Sequence, residues 1–133
     1  MSSIAQSLTF LILLASVTPA PAGTAFENAA IYRSAVAAVT DRDPKLVHAK
    51  DADGGVVALT YARPVDNFVF AYRCRIDGDR VVWGDNPGRW RDGPKDAKVS
   101  FEVVGNDRLR IVINRPKGKP VEQLFDRELN EVH

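Results

Sequence analysis

The sequence predicts an α+β domain, an N-terminal helix packed on a curled antiparallel β-meander of about six to seven strands. Three observations predict it. One stretch near the middle reads as a tight β-hairpin. One early stretch carries apolar residues at helical spacing. Beyond that stretch, short alternating segments are separated by turn residues.

The hairpin runs from Asn67 to Trp83, NFVFAYRCRIDGDRVVW. Phe68, Phe70, Tyr72, Cys74 and Ile76 alternate with Val69, Ala71, Arg73 and Arg75, so one face is apolar and the other ends in arginines. Asp77-Gly78-Asp79 supplies the turn, with glycine able to take a positive φ. With either Asp77-Gly78 or Gly78-Asp79 at its centre, Val81 and Trp83 share a face with Cys74 and Tyr72. That face is the predicted core side. Burying Phe68, Phe70, Phe101 and Trp83 would contribute roughly 2–3 kcal/mol each.

The helix is predicted over about residues 25–39. Thr24 and Glu27 have the spacing of a capping box. Ala25, Ala29, Tyr32, Val36 and Val39 form the core stripe, widened by Ile31, Ala35 and Ala38. Glu27, Asn28, Arg33 and Ser34 are left for water. Asp41-Arg42-Asp43-Pro44 ends the helix, because proline disfavours the α conformation in the residue before it.

The remaining segments read as strands: Leu46 to Lys50, Val56 to Ala62, the two arms of the hairpin, a fifth around Val99, Phe101 and Val103, and a sixth with Leu109, Ile111 and Ile113 inward. Val121 to Phe125 is an edge strand, and the charged tail from Asp126 frays. A sheet with one apolar face needs a cover, and the helix is the cover on offer. The layout is similar to that of small exported inhibitor and binding modules that wrap a sheet around one helix, a likeness of fold alone.

Residues 1–22 read as a cleaved secretory signal. Leu8 to Val17 is apolar but too short for a membrane span, which needs about 20 residues. Ala20 and Ala22 form the small-x-small pattern of a signal-peptidase site and leave Gly23 first; Gly23 and Ala25 form a second site. No Lys or Arg precedes the run, so the α-amino group is the positive charge there. A single domain over 23–133 follows, expected to be periplasmic or secreted. Cys74 is the only cysteine, so the core alone must hold the fold without a disulfide. The absence of an N-x-[ST] sequence suits a bacterial envelope protein. A net charge of +1 argues against a protein built to bind nucleic acid, where a basic excess is expected.

Little in the chain suggests catalysis. Of two histidines, His133 is terminal and His48 alternates to the face opposite Val47 and Ala49, away from Cys74. The acidic pairs Asp41/Asp43, Asp51/Asp53 and Asp77/Asp79 each border glycine or proline, as turn aspartates do, and lack a calcium loop's further ligands. Gly88 to Lys95 has the glycine spacing of a phosphate loop, but Pro94 replaces its lysine and no helix follows. The expectation is a non-enzyme with no metal and no cofactor.

Two surfaces remain as binding candidates. The first is the connection from Gly84 to Ala97, roughly 14 residues long, a length often tied to function. Its Arg89-Trp90-Arg91 combines the residue types enriched at binding hot spots. Either Trp90 docks a partner, or it plugs the open end of the sheet while the arginines pair with Asp85, Asp92 or Asp96. The second is the outward face with Arg73, Arg75, Arg108 and Arg110, two pairs roughly 14 Å apart at about 4.8 Å per strand. The expected role is an exported binding or inhibitor-like module that docks another envelope or secreted protein. The alternative is a carrier of a small apolar ligand held between helix and sheet, lined by Phe68, Phe70, Tyr72 and Trp83.

Overall fold

The computed structural model describes residues 26–50 and 55–133. The predicted signal, the capping residue Thr24 and the turn at 51–54 lie outside the described residues. One α-helix, α1 (Asn28–Thr40), is followed by a 3-10 turn (Pro44–Leu46) and by strands β1 (Val47–Lys50), β2 (Val57–Ala62), β3 (Val69–Asp77), β4 (Arg80–Asp85), β5 (Lys98–Val104), β6 (Arg108–Asn114), β7 (Val121–Phe125) and β8 (Glu131–Val132). The strands form one sheet in sequential order, every neighbouring pair antiparallel. The α+β meander expected from the sequence is what the chain adopts, with eight strands rather than six or seven.

The sheet curls so far that α1 touches β1 through β6. More than one helix stripe is therefore buried: Ile31, Tyr32 and every residue from Ser34 to Ala38. This corrects the expected pattern at both margins. Ser34, expected in water, is fully buried with a hydroxyl that has no hydrogen-bond partner. Ala29, expected in the core, is exposed. Arg33 is half-buried and ties the helix to the first strand, donating from Nε to the Val47 carbonyl at 2.6 Å and from Nη2 to the Pro44 carbonyl at 3.1 Å. Glu27 occupies the N-cap position, and its side chain makes no capping bond. The helix ends at Asp41, whose left-handed φ of 59° turns its amide back onto the Ala37 carbonyl. Pro44 opens the next turn, where the Asp43 carboxylate accepts from the Lys45 amide.

The central hairpin has Gly78-Asp79 at its tip, since Asp77 pairs with Arg80 and Gly78 has φ 65°. Cys74 stands opposite Trp83 and Ile76 opposite Val81, which fixes the core face as the alternation predicted. Leu59, Cys74, Val81, Val99, Leu109, Ile111 and Ile113 fill the space under the helix, each at most 1% exposed. Phe68 departs from expectation. It precedes β3, sits where the sheet ends, and is 56% exposed. Phe70, Phe101 and Trp83 are half-buried.

The tail does not fray. The Asp126 carboxylate accepts from the amides of Glu128 and Asn130, both at 2.9 Å. That turn drives Leu129 inward, to 3% exposure, and returns the chain as β8. One sheet seam is short: β4 and β5 pair only at Arg80–Ser100 and Val81–Val99. Beyond those pairs the connecting segment takes the place of β5 beside β4.

Candidate binding face

Gly84 is the seat of that segment. Trp90 bridges to Gly84 in antiparallel fashion, and the Arg91 amide donates to the Trp83 carbonyl at 2.7 Å. A Cβ on Gly84 would stand 2.5 Å from the Arg89 carbonyl oxygen and 3.0 Å from the Trp90 Cα. Only glycine lets the two backbones approach this closely.

In this register Trp90 lies on the outward side of the sheet with Gly84, Arg73 and Arg75. The Arg73 guanidinium is 4.2 Å and the Arg75 guanidinium 4.6 Å from the centre of its ring. Arg73 also donates to the Gly88 carbonyl at 2.6 Å. Trp90 is half-buried; it neither swings free nor plugs the open end of the sheet. Val82, although its side chain faces outward, is 1% exposed.

Arg89 and Arg91 alternate away from Trp90 and brace the loop. Arg89 makes a two-pronged bond to Asp96 at 2.9 and 2.7 Å. Asp96 also accepts from the Gly93 amide at 2.8 Å. The Arg89 bond, helped by that amide, holds the Asp96 carboxyl down at about 2. Arg91 pairs with Asp85 at 2.8 Å and lies over the Trp83 ring at 5.6 Å. Asp92 receives Arg80 and, at 3.4 Å, Lys98. The pairing of Arg89 and Arg91 with aspartates is as the sequence suggested; the position of Trp90 on the outward face is new.

The four outward arginines do not form one surface. Arg110 is paired with Glu102 and with Glu122, the latter at 3.2 Å, and Arg108 with Asp107 at 3.1 Å. Arg75 has no acidic partner among the described residues. Around Arg73 and Arg75, the outward face of β1–β3 presents His48 and Lys50 beside the small residues Ala58, Thr60, Ala62 and Ala71. Its single acid among the described residues is Asp77, at the far end opposite Arg80. The result is a smooth, cationic patch with one indole at its margin.

Sequence reasoning found the Arg-Trp-Arg motif, its aspartate partners and the outward arginines but missed Gly84 as the part that seats the loop. A lone glycine directly after an inward tryptophan in a strand was the available signal, since it marks a close backbone approach.

His48 faces outward and is exposed, whereas Cys74 faces the core with its thiol pushed up by burial. The two are on opposite sides of the sheet. Three surface clefts of about 280, 370 and 280 Å3 lie near the helix ends and beside β7 and β8; none is lined by Phe68, Phe70, Tyr72 or Trp83. Comparison with family models, with curated proteins and with solved structures finds no match for this chain.

Proposed function

We propose that this chain is a small, non-catalytic, exported binding or inhibitor-like module of the bacterial envelope, which docks an acidic surface of a partner protein on the outward face of β1–β3. The observation that carries the reading is two guanidinium groups, Arg73 and Arg75, held against the one indole of Trp90 on a rigid sheet. Tryptophan and arginine are the residues that most often dominate binding energy, and fixing them beforehand removes much of the ordering cost. The small neighbours Ala58, Thr60 and Ala71 allow a partner close to the sheet. Lys50 and Arg75, which has no acidic partner among the described residues, supply charge of one sign, which favours an acidic partner and raises its association rate. The filled space under the helix favours docking over carriage of an apolar ligand there.

The test is capture from a periplasmic extract with the immobilised protein, repeated with Arg75→Glu and Trp90→Leu. Capture should fall at least tenfold with Arg75→Glu and weaken with added salt. Equal capture by both variants would reject the outward face as the docking surface. Export is checked separately: N-terminal sequencing of the released protein should begin at Gly23 or Phe26, and a start at Met1 in membranes would reject it.

A further inference from the structure

The two ends of the sheet differ in a way that the outward face does not explain. In a sequential antiparallel meander the β2–β3, β4–β5 and β6–β7 connections all leave from one end, and the other connections leave from the opposite end. The 3-10 turn feeds β1 at that first end. All the large apolar side chains that stand exposed among the described residues lie there: Leu46, Val65, Phe68, Val69 and Val121. Val65 is 83% exposed.

This exposure is built, not slack. In the β2–β3 turn, Arg63 grips Asp66 with two bonds at 2.9 and 2.7 Å, and Asp66 accepts from the Phe68 amide at 3.1 Å. The Arg63 amide donates to the Phe68 carbonyl at 2.8 Å, and Asn67 takes a left-handed φ of 60°. Phe68 packs edge-on against Phe70, with ring centres 5.0 Å apart. A turn fixed this firmly holds Val65, Phe68 and Val69 out in water.

Charge divides along the same axis. At the apolar end, Asp66, Asp85 and Asp96 are each tied to a basic side chain of this chain. Asp43 takes the Lys45 amide, and Asp41 stands at the helix terminus. Lys95, Arg115, Lys117 and Lys119 are exposed there without an acidic partner among the described residues. The β3–β4 and β5–β6 tips at the opposite end carry Asp77, Asp79 and Asp107 against Arg80 and Arg108.

We infer that the end bearing Val65, Phe68, Lys117 and Lys119 rests on an anionic lipid bilayer, the apolar tips entering the headgroup region and the cations meeting lipid phosphates. The apolar side chains are spread over separate turns rather than gathered into one groove. A bilayer receives such scattered tips without needing a matching shape. The negative leaflet attracts the cationic end and repels the acidic one, which sets the orientation. The inference does not depend on the Arg73–Trp90–Arg75 face.

The experiment is co-sedimentation of the purified protein with phosphatidylcholine vesicles, with and without phosphatidylglycerol. Wild type should partition onto the phosphatidylglycerol vesicles and be released by salt. Lys117→Gln/Lys119→Gln should lower partition about 25-fold, at about fivefold per cation near the surface. Val65→Ser/Phe68→Ser should lower it roughly tenfold or more, the change lying in exposed residues. Arg75→Glu should still bind vesicles, so failure of the docking face and failure of the bilayer contact are read apart. Wild-type binding by both double variants, or no binding to phosphatidylglycerol vesicles at low salt, would overturn the inference. So would a concentration-dependent dimer in sedimentation analysis that Phe68→Ser disperses, since a second copy would then cover the end.

Discussion

Replacing Trp90 with alanine removes the indole from the outward face while leaving the backbone bridge to Gly84 in place. The cost follows from the contacts. Two guanidinium groups lie 4.2 and 4.6 Å from the ring centre at a half-exposed site, worth about 0.5–1 kcal/mol each. A half-buried aromatic forfeits about half of a full burial contribution, roughly 1–1.5 kcal/mol. The sum is about 2–3.5 kcal/mol of stability. For a domain of this size that lowers Tm by roughly 8–14 °C, at about 4 °C per kcal/mol. Trp90→Leu keeps apolar area and loses only the π face, so it should recover about half of the deficit. Trp83→Ala, on the core face against Tyr72 at a ring separation of 6.0 Å, should cost more, about 3–5 kcal/mol. Thermal melts by far-UV circular dichroism on the four proteins decide the matter. An unchanged Tm for Trp90→Ala would refute the reasoning and leave the indole a docking group alone. Because the residue carries stability, partner affinity is better judged with Arg75→Glu, whose side chain has no acidic partner among the described residues to lose.

Three further outcomes are expected. Gly84→Ala should displace the segment around Trp90, because the new methyl would stand 2.5 Å from a backbone oxygen that has no side-chain freedom to yield; Trp90 emission should shift to the red, and unchanged emission and Tm would contradict the close approach. Ser34→Ala should be neutral or stabilising by about 1 kcal/mol in urea unfolding, since it removes a buried hydroxyl with no partner; a large loss would mean that the hydroxyl is satisfied. Acid should loosen the Arg89–Asp96 brace late: the folded carboxyl is depressed to about 2 by the Arg89 bond, so its contribution is present above the ordinary carboxylate value and is lost as pH falls towards about 2. Tryptophan emission compared between wild type and Asp96→Asn over that interval reads the difference, and identical profiles would remove the brace from the account.

The hairpin was legible because a period of two admits only one core face once Gly78 marks the turn. The helix was legible as a helix but not in its burial. A single stripe is the right expectation for a flat sheet, and Ser34 is buried because the sheet curls past that stripe. Phe68 shows the complementary error: alternation continued one residue beyond the point where pairing stops, and a side chain at the sheet's end has nothing to pack beneath. The tail looked disposable because its charges hide Leu129, which only the Asp126 turn directs inward. For the candidate face, residue types and loop length pointed to Arg89-Trp90-Arg91, but the pairing of a loop with Gly84 is a long-range backbone contact that no local pattern encodes. The exposed tips at the end of the sheet were hidden for the same reason: Val65 and Val121 are distant in sequence, and only the strand order puts them at one end.

The short seam between β4 and β5 has a consequence for how the molecule breathes. With two residue pairs across it, the sheet behaves as two ribbons, β1–β4 and β5–β8, sharing one helix as a common spine. Openings that release the segment around Trp90 need break few ladder bonds, and so belong to the low-free-energy part of the native ensemble. Amide protons of Arg91 and Phe101, which bridge that seam through the carbonyls of Trp83 and Asp79, would then exchange with solvent well before those in the β5–β6 ladder. The two ribbons would come apart as cooperative units while each kept its own hydrogen-bonded core.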